Sequence, residues 1–375
     1  MTDKLSVAIA AGGTAGHVNP ALALAEELRA RGHYVRFYGQ TRRLEGTLVP
    51  QAGFDFSPIE VSGFDRRRPW TLVSALVHLR HERRRLVKMF QDDPSSRPDV
   101  AIGFGAYLEL PLIQAASKLG IPVALHEQNS VAGLANKRSA KVARLVALGQ
   151  PSVEETFRSR CAADAKIVFT GNPVRASVLQ GDRPRGRAAW GIPQDATVLL
   201  VFGGSLGAEH LNERLASLKS TLLGIDNLYI VQSTGKGGYD DAVRALALTE
   251  EESRRWQVRS YIDDMGDALA AADLVLSRAG ASSVAEIAAL AVPSVLVPYP
   301  LATEDHQTTN SRFLVDAGAA VLWPDADIDS DAFERDLVDL IDSPDRRAAM
   351  RKAARGLAQD AAAQVLASEL EAIAR

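Results

Sequence analysis

The sequence predicts an α/β protein built from two doubly wound domains, each a parallel sheet with helices on both faces. Short apolar runs alternate with segments of helical periodicity along most of the chain, which is typical of parallel sheets covered by helices. One such run in each half ends in a double glycine, Gly12-Gly13 or Gly203-Gly204, and then leads into a helical pattern. We therefore expect two similar domains, residues 1–180 and 181–375, facing each other across a cleft. Ligands should bind beyond the carboxyl ends of the strands.

The apolar runs place the strands in order along the chain. In the first half they are Leu5–Ala10, Tyr34–Tyr38, Val100–Phe104, Val123–His126, Leu145–Leu148 and Ile167–Thr170. In the second half they are Val198–Phe202, Tyr229–Gln232, Val258–Tyr261, Leu274–Ser277, Ser294–Val297 and Ala320–Trp323. Their short length and spacing favour parallel strands joined by helices.

Punctuating residues place the helices and the linker. Pro20–Arg31 and Leu110–Leu119 have helical periodicity, and Asn19 can cap the first of these helices. The polar, turn-rich stretch Gly181–Gly186 predicts the region of the linker. The acidic, Ala-rich end from Asp329 onward predicts several closing helices.

Composition and charge narrow the functional classes. The 375 residues are 46% hydrophobic and carry a net charge of -3, so no global positive field attracts nucleic acid. Cys161 is the only cysteine, which excludes a disulfide framework and fits a reducing compartment. No signal peptide is visible, and no window reaches the ~18 apolar residues of a membrane span. We expect a cytosolic protein that meets a membrane only through its surface.

Both glycine turns are suited to phosphate, because each can present backbone N–H groups at a helix N-terminus. Neither is a dinucleotide fingerprint, since the spacing is G-G-x-x-G, and the chain has no P-loop motif. The second strand ends at Gly39-Gln40, without the acid that would hold an NAD ribose. A tight structural turn would have the same pattern. His17 follows the first turn at a helix start and is a candidate general base, or else a structural histidine.

Acidic side chains supply further candidates. Glu286 follows a strand and a small-residue turn, and it either accepts the hydroxyls of a ribose or completes a capping box with Ser282 or Ser283. Asp325–Asp331 has the alternating acids of a calcium loop, but Ser330 and Asp336 stand where glycine and glutamate are required. We expect a polar loop that caps the next helix. No His/Cys cluster has zinc spacing, and we expect no metal site.

The segment from Arg66–Arg68 to Phe90 combines two helical stripes. The first is apolar and should face the core: Leu72, Leu76, Leu79, Leu86 and Phe90. The second runs from apolar to basic: Trp70, Val73, Val77, Arg80, Arg84 and Lys88. Such a surface suits an anionic membrane, although a solvated charged face would have the same pattern.

Together the motifs resemble those of the MurG family of peptidoglycan N-acetylglucosaminyltransferases, over nearly the whole chain. The matching segments are Gly12–His17, His126–Asn129, Thr170–Arg175, Gly203–Ala208, Tyr261–Met265, Arg278–Gly280 with Glu286, and His306–Asn310. Their number and order make the resemblance specific.

The resemblance implies a GT-B fold of two Rossmann-like domains and an inverting transfer without a metal or other cofactor. GlcNAc would move from UDP-GlcNAc to O4 of the muramoyl sugar of lipid I, undecaprenyl-pyrophosphoryl-MurNAc-pentapeptide. The product, lipid II, serves peptidoglycan synthesis and so cell shape and division. Such an enzyme would be peripheral, on the cytoplasmic side of the cell membrane.

The resemblance also implies roles for individual residues. In the donor site, Arg175 and Ile262 would lie near uracil, Glu286 on the ribose, Ser205 near the diphosphate, and Gln307 and Asn310 on the sugar. In the acceptor site of the N-terminal half, the implied residues are Thr14, Gly16, His17 and Asn129, with His17 as the base or as a positioning group.

The chain departs from the family pattern in four places. Ala15 replaces a common glycine, Leu206 replaces a common glutamine, and His306 replaces the first glutamine of a pair. Gly105–Glu109 is less glycine-rich than the family's second loop, and we assign Glu109 no catalytic role.

Three different functions would be compatible with the same architecture. A UDP-GlcNAc 2-epimerase would need no lipid acceptor, and the apolar-basic stripe and His126–Asn129 argue against it. A transferase could also use a different lipid acceptor, such as diacylglycerol. A non-catalytic protein could bind the nucleotide or the lipid, but the motifs in both halves argue against this function.

Overall fold

The computed structural model describes residues 4–61, 70–204 and 207–375. The chain divides into two compact units. The first comprises Met1–Arg175 together with Ala361–Arg375, and the second comprises Ala176–Asp360. Each unit is built around one parallel sheet, which confirms the predicted α/β class.

The first unit contains a seven-stranded parallel sheet in the order β3-β2-β1-β4-β5-β6-β7. Its strands are β1 (Ser6–Ala10), β2 (Tyr34–Gly39), β3 (Asp55–Pro58), β4 (Val100–Gly103), β5 (Val123–Glu127), β6 (Leu145–Leu148) and β7 (Lys166–Phe169). Its helices are α1 (Ala15–Ala30), α2 (Glu45–Gln51), α3 (Thr71–Asp92), α4 (Glu109–Lys118), α5 (Leu134–Ser139), α6 (Glu154–Arg158) and, at the far end of the chain, α18 (Ala362–Ala374).

The second unit contains a six-stranded parallel sheet in the order β10-β9-β8-β11-β12-β13. Its strands are β8 (Thr197–Phe202), β9 (Leu228–Ser233), β10 (Trp256–Arg259), β11 (Leu274–Ser277), β12 (Ser294–Leu296) and β13 (Ala320–Leu322). Its helices are α7 (Ala176–Leu179), α8 (Arg183–Ala189), α9 (Glu209–Ser217), α10 (Lys219–Leu223), α11 (Tyr239–Leu246), α12 (Glu250–Arg255), α13 (Met265–Ala271), α14 (Ala281–Ala289), α15 (His306–Asp316), α16 (Asp331–Asp342) and α17 (Pro344–Arg355).

The predicted strands are confirmed with small shifts, because their apolar residues are buried on both faces of each sheet. β4, β5, β6 and β11 are buried along their whole length, as expected for central parallel strands. The edge strand β3 is absent from the prediction, since Asp55–Pro58 is short and only partly buried. In both units the strand orders switch direction beside the first strand, so the glycine turns lie at the carboxyl ends of central strands.

The last helix corrects the predicted domain boundary. The sequence pattern puts residues 361–375 in the second domain, but α18 packs in the first unit. Leu366, Ala367 and Leu370 join the core beside β1 and α1. Arg31 donates to Glu371 (3.2 Å) and His33 Nε2 lies 2.9 Å from the same carboxylate. These long-range contacts leave no signal in the local sequence pattern.

The stretch Gly181–Gly186, predicted to lie near the linker, begins a few residues after the boundary between the units at Arg175 and Ala176, and part of it is helical. Arg183–Ala189 forms α8, which Asp182 caps by accepting a hydrogen bond from the Arg185 backbone (2.8 Å). Gly181 and Gly186 lie against the backbone of Gly266 and Asp267, where any Cβ atom would clash. These glycines therefore permit close helix packing inside the second unit rather than a flexible connection.

Helix α1 begins earlier than predicted. Its N-cap residue is Thr14, whose carbonyl accepts from the backbone N–H groups of His17 (3.1 Å) and Val18 (3.2 Å). Pro20 therefore lies inside the helix and Asn19 is not a cap. The helix follows the glycine turn directly, so His17 is in its first turn.

Candidate active site

The buried side chain of Glu45 accepts hydrogen bonds that fix the first glycine turn. The backbone N–H of Gly13 donates to Glu45 (3.0 Å), and the N–H of Gln40 donates to the other oxygen of the same group (3.1 Å). Glu45 is fully buried, and a side chain at Gly12 would clash with it. Glu45, at the start of α2, therefore joins the end of β2 to the glycine turn. It occupies the Gly13 N–H that the sequence pattern suggests for phosphate.

His17 sits between the first turn and the loop after β4. Its Nδ1 atom lies 3.1 Å from the hydroxyl oxygen of Thr14. Gly105, with φ +84°, approaches the other side of the ring, and a Cβ atom there would lie 3.3 Å from His17 Nε2. The structure thus brings together His17 and Thr14 as predicted, and Gly16 precedes His17 in the same half-buried turn.

The loop after β4 is anchored by Glu109, the first residue of α4. The backbone N–H of Gly105 donates to its carboxyl group (2.7 Å), and the Ser139 hydroxyl donates to the other oxygen (3.1 Å). The Glu109 side chain is 0% exposed. Burial, helped by the nearby charge of Glu127, raises the pKa of Glu109 to about 8.

His126, near the end of β5, connects the loops that follow β5 and β7. Its Nε2 atom lies 3.0 Å from the carbonyl oxygen of Gly171 and its Nδ1 atom 3.0 Å from the Gln128 amide nitrogen. A carbonyl can only accept, so Nε2 carries the proton and Nδ1 accepts from Gln128. Burial lowers the pKa of His126 to about 4, which agrees with a neutral ring. The motif beginning at Thr170 is thus the partner of the motif beginning at His126.

Glu127 positions the predicted acceptor residue Asn129. Its carboxylate accepts from the Asn129 backbone (3.1 Å) and side-chain amide (3.3 Å). The other oxygen accepts from the Gly133 backbone (2.8 Å) and the Asn136 amide (2.9 Å). Asn129 is therefore fixed at the carboxyl end of β5, the same sheet edge that carries His17.

Arg175 ends the first unit and forms an ion pair there. Its Nε and Nη2 atoms donate to one carboxylate oxygen of Glu26 on α1, at 3.1 and 3.0 Å. The predicted place of Arg175 near uracil is neither confirmed nor contradicted by this contact.

The second glycine turn has the geometry that the sequence predicts. β8 runs into Gly203-Gly204 and α9 begins after Ala208. Gly204 and Gly207 have φ +84° and +81°, and a side chain at Gly207 would clash with the Thr234 carbonyl. Only glycine fits such a turn without strain. Ser205 and Leu206 lie outside the described residues, as do Arg66–Arg68.

Glu286 is 8% exposed and lies one turn into α14. The N-cap of this helix is Gly280, without a side-chain capping hydrogen bond, so the alternative of a capping box with Ser282 or Ser283 is not formed. Ile262, the predicted neighbour of uracil, follows β10 and is 6% exposed. In the chain, Ile262 comes after the end of β10 at Arg259, and Glu286 is in the helix that follows β11.

Gln307 and Asn310 have different environments on α15. The Gln307 side-chain carbonyl accepts from the Tyr299 backbone (2.8 Å), which tethers the loop after β12. Asn310 is 0% exposed and donates to the carbonyl of Ala279 at 3.5 Å. A buried Asn310 shapes the loop that carries Gly280.

Arg278 is the centre of a charged network that sequence reasoning did not identify. Its guanidinium pairs with Asp325 and also donates to the carbonyls of Val297 (3.3 Å) and Pro298 (3.2 Å). His210 bridges Asp325 (2.9 Å) and Asp329 (3.0 Å), and both hydrogen bonds raise the pKa of His210. The alternating acids therefore stabilise a loop. Ser330 caps α16 by accepting from the Phe333 N–H (3.3 Å), which confirms the polar capping loop.

The predicted membrane stripe is exposed on α3 and at its N-cap. Trp70, Val73 and Val77 are 70%, 67% and 55% exposed. The basic residues Arg80, Arg84 and Lys88 are exposed on the following turns of the same face. On the other stripe Leu86 and Phe90 are buried, while Leu76 and Leu79 are only partly buried. Among the described helices, none has the length and apolar character required to cross a membrane.

The residues that sequence reasoning missed are mainly buried carboxylates. Glu45, Glu109 and Glu127 all anchor loops at the carboxyl edge of the first sheet. The sequence signal that could have indicated these anchors is a glutamate close to glycines and within a few residues of a strand end. Sequence alone cannot distinguish such a residue from an exposed helix cap.

Comparisons with known proteins identify the family. The model of the glycosyltransferase family 28 N-terminal domain matches residues 7–148, and the model of the family 28 C-terminal domain matches residues 198–367.

Named relatives span nearly the whole chain. A protein of Salinibacter ruber named UDP-N-acetylglucosamine--N-acetylmuramyl-(pentapeptide) pyrophosphoryl-undecaprenol N-acetylglucosamine transferase is 40% identical over 97% of this chain and 95% of its own length. A relative of the same name from Acetivibrio thermocellus is 36% identical over 94% of each chain.

A solved structure agrees with these relatives. The crystal structure of Acinetobacter baumannii MurG is 30% identical, with a TM-score of 0.71 over 98% of this chain and 99% of that one. With both domain models matched and relatives of this identity along nearly the full length, the chain belongs to glycosyltransferase family 28 and has the GT-B fold.

Proposed function

We propose that this chain is an inverting UDP-GlcNAc-dependent N-acetylglucosaminyltransferase. It transfers GlcNAc to O4 of the MurNAc-pentapeptide of lipid I and forms lipid II for peptidoglycan synthesis. The observation that carries the proposal is 40% identity to a transferase of that name over 97% of the chain. The two glycine turns and the anchored side chains beside them give this similarity a physical basis.

The reaction requires a base at the acceptor hydroxyl. The O4 oxygen attacks C1 of the donor sugar as the bond from C1 to the diphosphate breaks, and UDP leaves. The O4 proton passes to His17, and we assign it to Nε2 because Nδ1 lies 3.1 Å from the Thr14 hydroxyl. A positioned base contributes typically ~10²–10⁴ in rate. If His17 instead positions the acceptor, its removal would raise the acceptor KM as well.

The acceptor binds the first unit at the carboxyl edge of its sheet. Asn129, held by Glu127, offers its amide to the muramoyl sugar or its peptide. Thr14 and Gly16 border His17 in the turn and complete this side of the site. We expect Gly13 not to bind the lipid diphosphate, because its backbone N–H already donates to the Glu45 side chain (3.0 Å).

The donor binds the second unit. The Glu286 carboxylate accepts the ribose hydroxyls, Ile262 packs against uracil, and Ser205 with its turn binds the diphosphate. Gln307, oriented by its bond to Tyr299, uses its amide group to recognise the sugar. Asn310 acts through the Ala279 loop, because its own side chain is buried.

The acceptor's polyprenyl tail stays in the bilayer, so the enzyme comes to the membrane. The exposed stripe of α3 provides an apolar end for the interface and three cations for anionic headgroups. We therefore propose a peripheral enzyme on the cytoplasmic side of the cell membrane that binds an anionic surface and no nucleic acid.

Metal independence is a separate part of the proposal. We expect the protein's own hydrogen-bond donors to stabilise the leaving diphosphate, and no metal or other cofactor to take part. Activity should therefore persist in EDTA. A complete loss in EDTA that added Mg²⁺ restores would contradict this part and leave the transfer itself standing.

The test is incubation of the purified protein with UDP-GlcNAc, with and without a soluble lipid I analogue. Transfer releases UDP only when the acceptor is present. A 2-epimerase would convert the sugar nucleotide without any acceptor, and a binding protein would release no UDP. A diacylglycerol acceptor in a further arm distinguishes a transferase with a different lipid specificity.

A further inference from the structure

Glu109 is the first residue of α4, and the reaction above assigns it no role. Its carboxyl group is fully buried at the start of α4. One oxygen accepts from the Gly105 N–H (2.7 Å) and the other from the Ser139 hydroxyl (3.1 Å). A side chain at Gly103 would clash with this carboxyl group, so the strand end is shaped around it.

The anchored loop is the one that contacts His17. A Cβ atom on Gly105 would lie 3.3 Å from both Cδ2 and Nε2 of the imidazole, tighter than an ordinary packing distance. The position of the Gly105 backbone therefore sets the space beside the proposed base. A shift of this loop would remove the Gly105 backbone from its contact with the His17 imidazole, or displace it.

The same loop carries backbone strain. Ala106, the residue after Gly105, has φ +63°, a conformation that glycine adopts readily and alanine adopts at a cost. A local restraint is needed to hold a strained residue in place. The Glu109 hydrogen bond to Gly105 is such a restraint, one residue away.

We propose that Glu109 is a positioning residue of the transfer reaction, which fixes Gly105 against the His17 ring and ties this loop to Ser139 on α5. The inference rests on the proposed function, in which His17 takes the acceptor proton. Glu109 touches neither substrate nor reacting atoms and acts through the loop alone.

The charge around Glu109 supports a neutral carboxyl group. The buried ionisable side chains on elements packed against α4 are Tyr38 on β2, Glu82 on α3, and His126 and Glu127 on β5. On α5, Lys137 is half-buried and Arg138 is exposed. Burial is the largest cause of the raised pKa of Glu109, about 8, and Glu127 adds to it by repulsion. Above that pH a second negative charge would arise beside Glu127 and strain the anchored loop.

The kinetic experiment compares two substitutions of Glu109 in the full-length protein. Glu109→Gln keeps an oxygen that accepts from Gly105, and its amide N–H can donate to the Ser139 hydroxyl oxygen in place of the oxygen that accepts from Ser139. We therefore expect kcat at pH 7 to stay within about threefold of the parent. We expect the activity of the parent to decline near pH 8, where Glu109 ionises, and the activity of Glu109→Gln to lack this decline. Glu109→Ala should lower kcat by about 10- to 100-fold through misplacement of the loop, with an unchanged KM for UDP-GlcNAc.

A second substitution tests the strain argument. Ala106→Gly removes the cost of the positive φ, so it should recover part of the kcat that Glu109→Ala loses. Glu82→Gln is the matched control, because Glu82 is also a buried glutamate and pairs with Arg85 instead. It should keep the parent pH profile. Parent-like kcat in Glu109→Ala, or the parent's alkaline decline in Glu109→Gln, would overturn the proposal.

An NMR readout separates this inference from the proposed function. The His17 ring resonances should show a step near pH 8 in the parent that is lost in Glu109→Gln and kept in Glu82→Gln. This step needs no acceptor and no turnover, so it is readable even if lipid I is not the substrate. His17 resonances that are the same in parent and Glu109→Gln at every pH would refute the positioning role.

Discussion

Replacing Glu109 by glutamine should make the protein more stable at alkaline pH, although it removes a native side chain. In the folded state the pKa of this carboxyl group is raised by burial from 4.5 to about 8. Between those values the unfolded chain ionises Glu109 while the folded chain keeps it protonated. The free energy of unfolding of the parent must therefore fall as pH rises through this window.

The size of the effect follows from the same two values. A rise from 4.5 to about 8 corresponds to about 5 kcal/mol once the group is ionised in both states, and about 3 kcal/mol at pH 7. Glutamine has the same shape and does not ionise, so the variant does not lose this free energy of unfolding as pH rises. Below pH 4.5 the two proteins should have nearly equal stability, because both side chains are then neutral.

Thermal unfolding followed from about pH 4 to about pH 9 measures this difference. For a domain of this size each kcal/mol corresponds to about 2–4 °C, so the variant should unfold several degrees above the parent at pH 7. The gap should widen up to about pH 8 and then stay constant. Glu82→Gln, a buried glutamate with an arginine partner, is the control and should show no such widening. A gap that is independent of pH, or a variant less stable than the parent at pH 8, would refute the reasoning.

Three further variants test the proposed site and the membrane surface. Glu286→Ala should raise the UDP-GlcNAc KM or lower kcat/KM, at a free-energy cost of about 1–3 kcal/mol, because the ribose hydroxyls lose their acceptor. Unchanged donor kinetics would leave Glu286 with a packing role. His17→Ala should lower kcat by about 10²–10⁴ with UDP binding nearly intact, and near-normal turnover would show that another group is the base. The triple variant Arg80/Arg84/Lys88→Glu should lose binding to anionic vesicles, about 1 kcal/mol for each cation removed, but keep activity on a soluble acceptor. Equal vesicle binding at low salt would identify the stripe as a solvated helix face.

The strands and glycine turns could be predicted because their signals are local. A short apolar run such as Leu145–Leu148 predicts a strand that is covered on both faces of its sheet. The structure has this strand with the predicted bounds. A double glycine between an apolar run and a helical pattern predicts the turn for a similar reason: Gly204 needs a positive φ. The fold class and both turns therefore follow from the sequence.

Other features depend on contacts between distant residues. The α18 helix has an ordinary apolar stripe, and only its packing against α1 shows that it belongs to the first unit. The predicted start of α1 is misplaced because Asn19-Pro20 is a good local helix start, whereas the turn at Gly12-Gly13 makes Thr14 the cap. Tertiary structure overrides a correct local preference in that case.

The buried glutamates show where a single sequence is least informative. Glu45 and Glu109 each begin a helix, where an acidic side chain usually faces solvent and interacts with the helix dipole. Here each reaches back to a glycine N–H in a preceding loop, because the sheet edge leaves that donor without a backbone partner. The sequence therefore predicts His17 and Asn129 as site residues but does not reveal the groups that hold them.

The most direct test of the central claim is the mass of the product. The protein, UDP-GlcNAc and a soluble lipid I analogue should yield an acceptor heavier by one N-acetylhexosamine residue, with an equal amount of UDP. An otherwise identical analogue that lacks the muramoyl O4 hydroxyl should yield neither product. Sugar transfer to the analogue without O4, or an unchanged acceptor mass while UDP-GlcNAc is consumed, would contradict the account.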